Sequence, residues 1–246
     1  MKLLLCSLLL LFAFSLSAQA PVAVPVANEP HHHLVFENSY ARVFRVSVPA
    51  HDATLLHRHD LPYVYVSLGP ADVINAMAGK PEARLVMADG QVAYSRGGFA
   101  HVARTDAGTP FDNVTVELLK PQGEPRNLCG QIASNAASGP CEKSALHRYL
   151  TSLSEPQFET KELKLDLEHF DPKAGSIVES RVGSLLIVLN NSELQIKLQG
   201  KPARILHGGE VVWLQAHSRT GVSNPSEKLS NYLQFYFGDS GRGAKP

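Results

Sequence analysis

The chain has 246 residues, of which 23 are Lys or Arg, 23 are Asp or Glu, and 11 are His. A formal net charge of zero argues against a nucleic-acid or anionic-membrane partner, because both require a clustered cationic surface. With 44% hydrophobic and 19% charged residues, the composition is that of a globular protein and not of a disordered one. The length allows one large domain or two small ones.

The first twenty residues have the pattern of a secretory signal peptide. Lys2 supplies the positive charge, an apolar run extends from Leu3 to Leu16, and Ala18-Gln19-Ala20 forms a small-residue exit. The apolar run is shorter than the ~20 residues of a membrane-spanning helix. The sequence therefore predicts a mature protein that is soluble and exported, either to the periplasm or out of the cell.

Export changes the interpretation of the cysteines. Without residues 1–20, the chain keeps two cysteines, Cys129 and Cys141, separated by a stretch of small and polar residues. Two cysteines in an oxidising compartment indicate a disulfide. A redox-active pair is less favoured, since such pairs have two-residue spacing. We expect a structural bond.

Short β-type runs separated by turns follow a Pro/Ala-rich leader (residues 21–30) that we expect to be extended and mobile. These runs form two blocks of similar length, residues 31–120 and 156–240. The connection between them, residues 121–155, contains the cysteine loop and a predicted short helix over residues 144–153. The pattern predicts an all-β protein built from two sandwiches or barrels.

The histidines of the first block provide the clearest functional signal. His57 and His59 are two residues apart, so on a strand they point to the same face. A third, His101, follows the glycine pair Gly97-Gly98. Three neutral imidazoles that converge in a barrel would bind a divalent transition metal such as Fe, Mn, Ni, Cu or Zn. The alternative is a hydrogen-bonded structural cluster of histidines without a metal.

These motifs resemble those of the cupin superfamily, and the two blocks resemble a bicupin. The second cupin motif is matched by Gly90, Gly98 and His101, with Arg96 in place of its proline and Thr105 in place of its asparagine. The resemblance implies two double-stranded β-helix (jelly-roll) barrels with a mononuclear metal site in the first.

The first cupin motif is matched by His57, His59 and, one residue early, Gly69, whereas His51 occupies the position of its initial glycine. Tyr63 occupies the position of its metal-binding glutamate. The remaining three-histidine site is similar to those of some thiol and diketone dioxygenases. Tyr63 could be a weak fourth ligand, a hydrogen-bond donor or a packing residue. His51 shares the parity of His57 and is either a second pocket residue, able to act as a donor or base, or a turn residue.

The second block departs further from the cupin motifs. Aligning its central apolar strand with that of the first block places Glu179 and Arg181 at the positions of His57 and His59, and His217 at that of His101. We therefore expect a barrel without a metal that contributes stability or a binding wall. The segment His31-His32-His33, just before the first strand, is expected to be exposed and to bind metal only adventitiously.

Two functions and one alternative without a functional site remain open. One is an exported metal-dependent cupin with oxygenase-type activity on a small molecule, with Tyr63 or His51 assisting the metal. The other is a periplasmic bicupin that binds a metal or ligand without turnover. A remnant that has lost its site and mediates assembly is a third possibility, and a homo-oligomer is compatible with all three.

Overall fold

A computed structural model describes residues 22–141, 147–149 and 152–238. The predicted signal peptide lies outside the described residues. Within the part that is described, no helix has both the length and the apolar character needed to cross a membrane.

The first half of the chain forms two facing sheets. Its strands are β1 (Val24–Pro25), β2 (His32–Glu37), β3 (Ala41–Val48), β4 (His57–His59), β5 (Tyr63–Ser67), β6 (Ala71–Met77), β7 (Ala83–Met87), β8 (Val92–Ser95), β9 (Phe99–Arg104) and β10 (Phe111–Leu118), with a 3-10 turn at Val26–Asn28. One sheet has the order β1-β4-β9-β6-β7 and the other β2-β3-β10-β5-β8. Apolar residues of both sheets, among them Val46, Val73 and Met87, pack between them.

The second half repeats this arrangement. Its strands are β11 (Arg126–Asn127), β12 (Ala137–Ser138), β13 (His147–Tyr149), β14 (Ser152–Glu159), β15 (Leu163–Phe170), β16 (Gly175–Ser180), β17 (Gly183–Val188), β18 (Glu193–Leu198), β19 (Arg204–His207), β20 (Val211–Leu214), β21 (Ser218–Ser223) and β22 (Ser230–Phe237). One sheet has the order β12-β11-β14-β15-β22-β17-β20, with β13 beside β14, and the other has the order β16-β21-β18-β19.

Strand pairing shows that the two halves are copies of one barrel. In the first, β10 lies between β3 and β5, and in the second, β22 lies between β15 and β17. Tyr63 at the start of β5 lies opposite Glu117, and Ser184 near the start of β17 lies opposite Tyr236. The prediction of two all-β, jelly-roll barrels is confirmed.

The two barrels share a hydrophobic core. Outward-facing residues of β3, β5 and β10, such as Val43 and Val116, pack against Leu165 and Phe235 of the second barrel. Because strand β17 is covered on both faces, all of its residues are buried. Alternation along these central strands therefore directs one face into each strand's own barrel and the other into the contact between barrels.

The cysteine loop joins this contact. Cys129 and Cys141 form the predicted disulfide. Ile132, inside the loop, is 6% exposed and packs into the shared core. Its carbonyl accepts a hydrogen bond of 2.9 Å from the backbone N–H of Tyr94 in β8. The loop thus attaches to the first barrel, while β11 just before it and β12 inside it pair within the second.

Two local predictions are wrong. Within residues 144–153, the described part contains strand β13 and the start of β14, which pair antiparallel, in place of the predicted helix. Pairing of β14 with β15 outweighs the local helical preference. The leader is also not mobile, because Val24 and Pro25 pair in parallel with β4 and Val26 is buried in the first barrel's core.

Candidate metal centre

The first barrel brings the three predicted histidines together. His57 and His59 are buried on β4 with Arg58 exposed between them, as strand alternation requires. His101 lies directly opposite His57 on β9. The ring centroids of His57 and His101 are 4.4 Å apart, and that of His59 lies 5.0 Å from His57 and 5.2 Å from His101.

A fourth histidine, His32, joins the group from the other sheet of the barrel. Its ring centroid lies 4.8 Å from that of His57 and 6.0 Å from that of His59. One nitrogen from each of these three rings lies within 4.8 Å of the others, so the three side chains could hold a metal ion. We refer to all four residues as the histidine cluster, defined as His32, His57, His59 and His101.

The expectation that the histidine triplet is exposed is therefore wrong for His32, which is only 9% exposed. Strand β2 begins at His32, where pairing with Val46 of β3 places the residue at the inner face of the barrel. His33 is exposed, as expected. Because side chains alternate along a strand, β2 turns His32 inward and His33 outward. The sequence does not show that the strand begins at His32.

Hydrogen bonds orient two of these rings. Nδ1 of His57 lies 2.9 Å from the Leu55 carbonyl oxygen, and Nδ1 of His101 lies 2.7 Å from Oδ1 of Asn75. Because an oxygen of this kind only accepts, Nδ1 carries the proton in both rings and Nε2 keeps a lone pair. Both Nε2 atoms are buried and have no hydrogen-bond partner among the described residues, and the same holds for Nδ1 of His59.

A buried carboxylate supports His32 from behind. Oε2 of Glu29 lies 2.6 Å from Nδ1 of His32, and Glu29 is 1% exposed. Burial alone would raise the pKa of Glu29, but hydrogen bonds from His32 and His31 outweigh it and lower the pKa to about 2. Glu29 is therefore ionised at neutral pH, and His32 is fixed with Nδ1 as the donor.

Burial keeps the imidazoles of His57, His59 and His101 neutral. It lowers the pKa of His57 to about 4, that of His101 to about 3 and that of His59 to about 2, and the neighbouring imidazoles lower these values further. Neutral imidazoles are the form that binds transition metals. The lone pairs that lack a partner and the neutral charge state both fit a bound divalent cation.

Tyr63 and His51 occupy different environments. The Tyr63 ring stacks on that of His59 with centroids 4.2 Å apart, and burial raises the pKa of its hydroxyl well above the usual value. Strand β3 ends at Val48 and β4 begins at His57, so the strand that would have given His51 the parity of His57 is interrupted. His51 lies in the intervening turn, exposed, with φ of 60°.

The predicted glycine pair packs against the backbone at His59. Gly98 donates a hydrogen bond of 2.6 Å to the carbonyl of His59. Gly97 has φ of +68°, and a Cβ on it would lie 2.2 Å from the carbonyl oxygen of Leu61. Only glycine allows this close approach, which holds the end of β4 in place.

A small cavity adjoins the histidine cluster. Its volume is about 80 Å³, and its walls include the apolar Val73, Leu85 and Phe111 as well as the polar Asn113 and Thr115. Cavities that bind drug-sized ligands measure roughly 300–1,000 Å³. This space therefore fits a ligand of only a few non-hydrogen atoms.

The second barrel has different residues at the equivalent positions. Thr220 takes the place of His101. In the first barrel His101 pairs with the last residue of β6, and in the second Thr220 pairs with the last residue of β18. Val178 lies opposite Thr220 as His57 lies opposite His101, and Ser180 follows two residues later on the same face. Hydroxyl groups and a valine side chain thus replace three imidazoles.

The predicted alignment of the second barrel is wrong by one residue at Glu179 and Arg181 and by three residues at His217. Glu179 and Arg181 are both exposed, and Glu179 forms a surface ion pair of 3.2 Å with Arg219. His217 is exposed in the turn before β21, with φ of 57°. The central strand used for the alignment is buried along its whole length, so its sequence carries no alternation to fix the parity.

Comparison with known proteins gives structural relatives only. No family model matches the chain, and no curated protein matches it. A cupin 2 conserved barrel domain protein from Leptotrichia buccalis is 10% identical, with a TM-score of 0.53 over 86% of this chain and 89% of its own. Salicylate 1,2-dioxygenase from Pseudoaminobacter salicylatoxidans is 10% identical, with a TM-score of 0.58 over 81% and 69%.

A third structural relative is oxalate decarboxylase from Bacillus subtilis, described with Mn(II) centres. It is 10% identical, with a TM-score of 0.51 over 85% of this chain and 75% of its own. At such identities the likeness concerns the fold, and it agrees with the motifs around the histidines and with the paired barrels. The chain therefore has the cupin fold in the two-barrel, bicupin form.

Proposed function

We propose that the first barrel holds one divalent transition-metal ion in the histidine cluster. The observation that carries this proposal is the set of buried imidazole nitrogens without a hydrogen-bond partner on His57, His59 and His101. An unsatisfied buried acceptor costs about 1–3 kcal/mol. A cation at the centre of the cluster would remove that cost at several nitrogens at once.

The ligand set is compatible with Fe, Mn, Ni, Cu or Zn, because neutral imidazole suits most divalent transition metals. None of the four rings brings a negative charge, and the nearest ionised carboxylate, Glu29, lies behind His32. A bound ion would keep much of its charge and would polarise an oxygen of a substrate or activate dioxygen. Small anionic or chelating molecules are the substrates or ligands that such a charge favours.

For the activity we propose oxygenase-type chemistry on a small molecule. The fold relatives include a dioxygenase and a decarboxylase. In this chain, Tyr63 stays protonated next to His59 and could donate a hydrogen bond, while apolar walls formed by Val73 and Phe111 limit water. His51 has no comparable support, since it is exposed in a turn.

A second candidate is a bicupin that binds metal without turnover. It is favoured by the small cavity and by the fourth histidine, which together leave little room and few coordination positions for a substrate. In either case we propose that the protein is exported. The signal-like residues 1–20 and the Cys129–Cys141 disulfide support this location.

Metal analysis of the full mature chain tests the site. After reconstitution with each of the five metals and desalting, we expect about one ion per chain, and a large loss in His57→Ala and His32→Ala. His33→Ala is the matched control, because His33 neighbours His32 but is exposed. Equal metal content in all variants, or none in the wild type with any of the metals, would overturn the proposal.

Oxygen consumption separates the two candidates. Metal-loaded protein is offered a panel of small thiols and diketones, with His101→Ala as the inactive control. Turnover that disappears in the variant supports the enzyme. A fully loaded protein that turns over none of the panel supports the binding protein.

A further inference from the structure

The N-terminal leader forms a strap against the histidine cluster. We use the name strap for residues 24–29, of which the first two, Val24 and Pro25, pair in parallel with β4 so that Val24 lies opposite His57. Val26 anchors the strap in the barrel core and is 4% exposed. Glu29 ends the strap with its side chain buried next to His32.

The surroundings of Glu29 require a carboxylate. Oε1 accepts a hydrogen bond of 3.1 Å from the backbone N–H of Leu55, and Oε2 accepts one of 2.9 Å from that of His31. A glutamine at this position would place its NH₂ group, which is also a donor, against the backbone N–H of either Leu55 or His31 in both orientations of its amide. Only a group with two acceptor oxygens satisfies both positions.

The same carboxylate reaches two residues of the cluster. Oε2 lies 2.6 Å from Nδ1 of His32. Through Oε1 it also holds Leu55, whose carbonyl accepts the hydrogen bond from Nδ1 of His57. The strap therefore contacts one ring directly and supports the orientation of a second through the backbone.

From these contacts we infer that Glu29 is a positioning residue of the metal centre, which holds His32 with Nδ1 protonated and Nε2 directed into the histidine cluster. The inference rests on the proposed metal site for its functional consequence. It also places the carboxylate of this centre behind a histidine ligand, whereas the cupin motif has its glutamate at the position of Tyr63. Outer partners of this kind commonly change metal affinity by about 10–100-fold.

A double-mutant cycle on Zn²⁺ affinity, measured by competition with a chromophoric chelator, tests this role. We expect Glu29→Gln to weaken Zn²⁺ binding by about 10–100-fold in the wild-type background. In the His32→Ala background, the fold-loss that Glu29→Gln causes should be at least about five times smaller. Asp52→Asn is the matched control, because Asp52 is a half-exposed carboxylate near His31 that does not contact His32. Equal effects of Glu29→Gln in both backgrounds would overturn the inference.

A measurement on the metal-free protein makes the test independent of metal binding. Nitrogen-15 NMR of the His32 ring should show the Nδ1-protonated tautomer in the wild type and a changed tautomer ratio in Glu29→Gln. Glu29→Asp keeps a carboxylate on a shorter side chain, and we expect it to retain the tautomer in part and to serve if the glutamine variant does not fold. An unchanged ratio in a folded Glu29 variant would overturn the inference.

The two proposals fail in different ways. If the wild type binds no Zn²⁺ or other divalent metal but shows the expected tautomer and its loss in the variant, the metal site is wrong and the positioning of His32 by Glu29 is supported. If metal binds and the tautomer does not depend on Glu29, the metal site stands and the role of Glu29 is wrong.

Discussion

The two barrels share one strand topology and differ in what fills them. The first has a pocket of about 80 Å³ beside four histidines. In the second, large apolar side chains occupy the interior, and Leu186, Leu194 and Ile196 are at most 1% exposed. Thr220 lies there at the position of His101. The same scaffold therefore supports either a polar, hollow centre or a filled one.

The comparison shows where the stability of the molecule comes from. The outward faces of the central strands bury each other in the contact between the barrels, whatever the barrel interiors contain. Such burial contributes about 25 cal/mol for each Å² of apolar surface removed from water. The interior of the first barrel is thus free to carry groups that favour binding over stability.

The largest expected difference between the barrels is their response to acid. In the folded, metal-free protein, three buried histidines have pKa values of about 2 to 4. Unfolded histidines take up protons below about pH 6.5, so lowering the pH favours the unfolded state. From pH 6.5 to 5.5 the free energy of unfolding should fall by about 3 kcal/mol, about 1 kcal/mol for each of the three histidines.

Urea unfolding across this pH range checks that expectation. His101→Asn, which removes one of the three groups, should lower the slope over this range by about 1 kcal/mol per pH unit. Thr220→Asn, at the equivalent position of the second barrel, should leave the slope unchanged. A wild-type free energy of unfolding that is flat between pH 6.5 and 5.5 would contradict the assignment of buried neutral histidines.

Metal affinity should also distinguish equivalent positions. His101→Ala removes a nitrogen of the cluster, and we expect Zn²⁺ binding to weaken by more than about 100-fold, beyond the effect of an outer partner. Thr220→Ala should bind Zn²⁺ like the wild type. Calorimetric titration measures both, and a similar loss in the two variants would mean that the barrels do not differ in the way we propose.

The disulfide tests how closely the barrels depend on each other. Replacing Cys129 and Cys141 by serine opens the loop and should lower the free energy of unfolding by about 2–3 kcal/mol. A reductant should have the same effect on the wild type and none on the double variant. Because Ile132 of this loop packs in the shared core, both barrels should lose stability, which hydrogen exchange of their central strands would reveal. Destabilisation confined to the second barrel would contradict this.

In the second barrel we expect a smaller change in stability with pH, in which raising the pH lowers the free energy of unfolding. Burial raises the pKa of Glu168 to about 7, although a hydrogen bond from Ser154 lowers it in part. Its carboxyl ionises near pH 4.5 in the unfolded chain, so raising the pH from there to 7 costs stability. Glu168→Gln keeps an acceptor for Ser154 and should stabilise the protein by about 1–2 kcal/mol at pH 7.5. At pH 4.5 its effect should be close to zero, and equal effects at both pH values would contradict this explanation.

The sequence was most informative where alternation and glycine were present. The parity of His57 and His59 and the glycine pair before His101 predicted three of the four clustered histidines and the barrel that holds them. Glu29 escaped prediction because a Pro/Ala-rich leader has no alternation, and the leader's pairing with β4 joins residues more than thirty positions apart. His32 was expected to be exposed because the sequence does not show that β2 begins there and pairs with β3. Such pairing is a tertiary interaction, for which a local pattern contains no signal.

The same limit explains the error in the second barrel. Strand β17 is buried on both faces, so its apolar run does not show which residues point into the barrel. An alignment based on this strand can therefore slip by one residue. That slip exchanged the inward Ser180 for the exposed Glu179 and Arg181. It changed the residues assigned to the centre of the barrel but not the topology, which rests on the number and spacing of the strands.

The placement of His32 has a mechanical consequence. This residue belongs to the sheet that contains β3 and β10, while His57 and His101 belong to the sheet that faces it. A metal ion held by all of them would cross-link the two sheets over 69 positions of the chain, from residue 32 to residue 101. The sheets could then separate only after the ion had left, so the lifetime of the folded barrel would be governed by the rate of metal release.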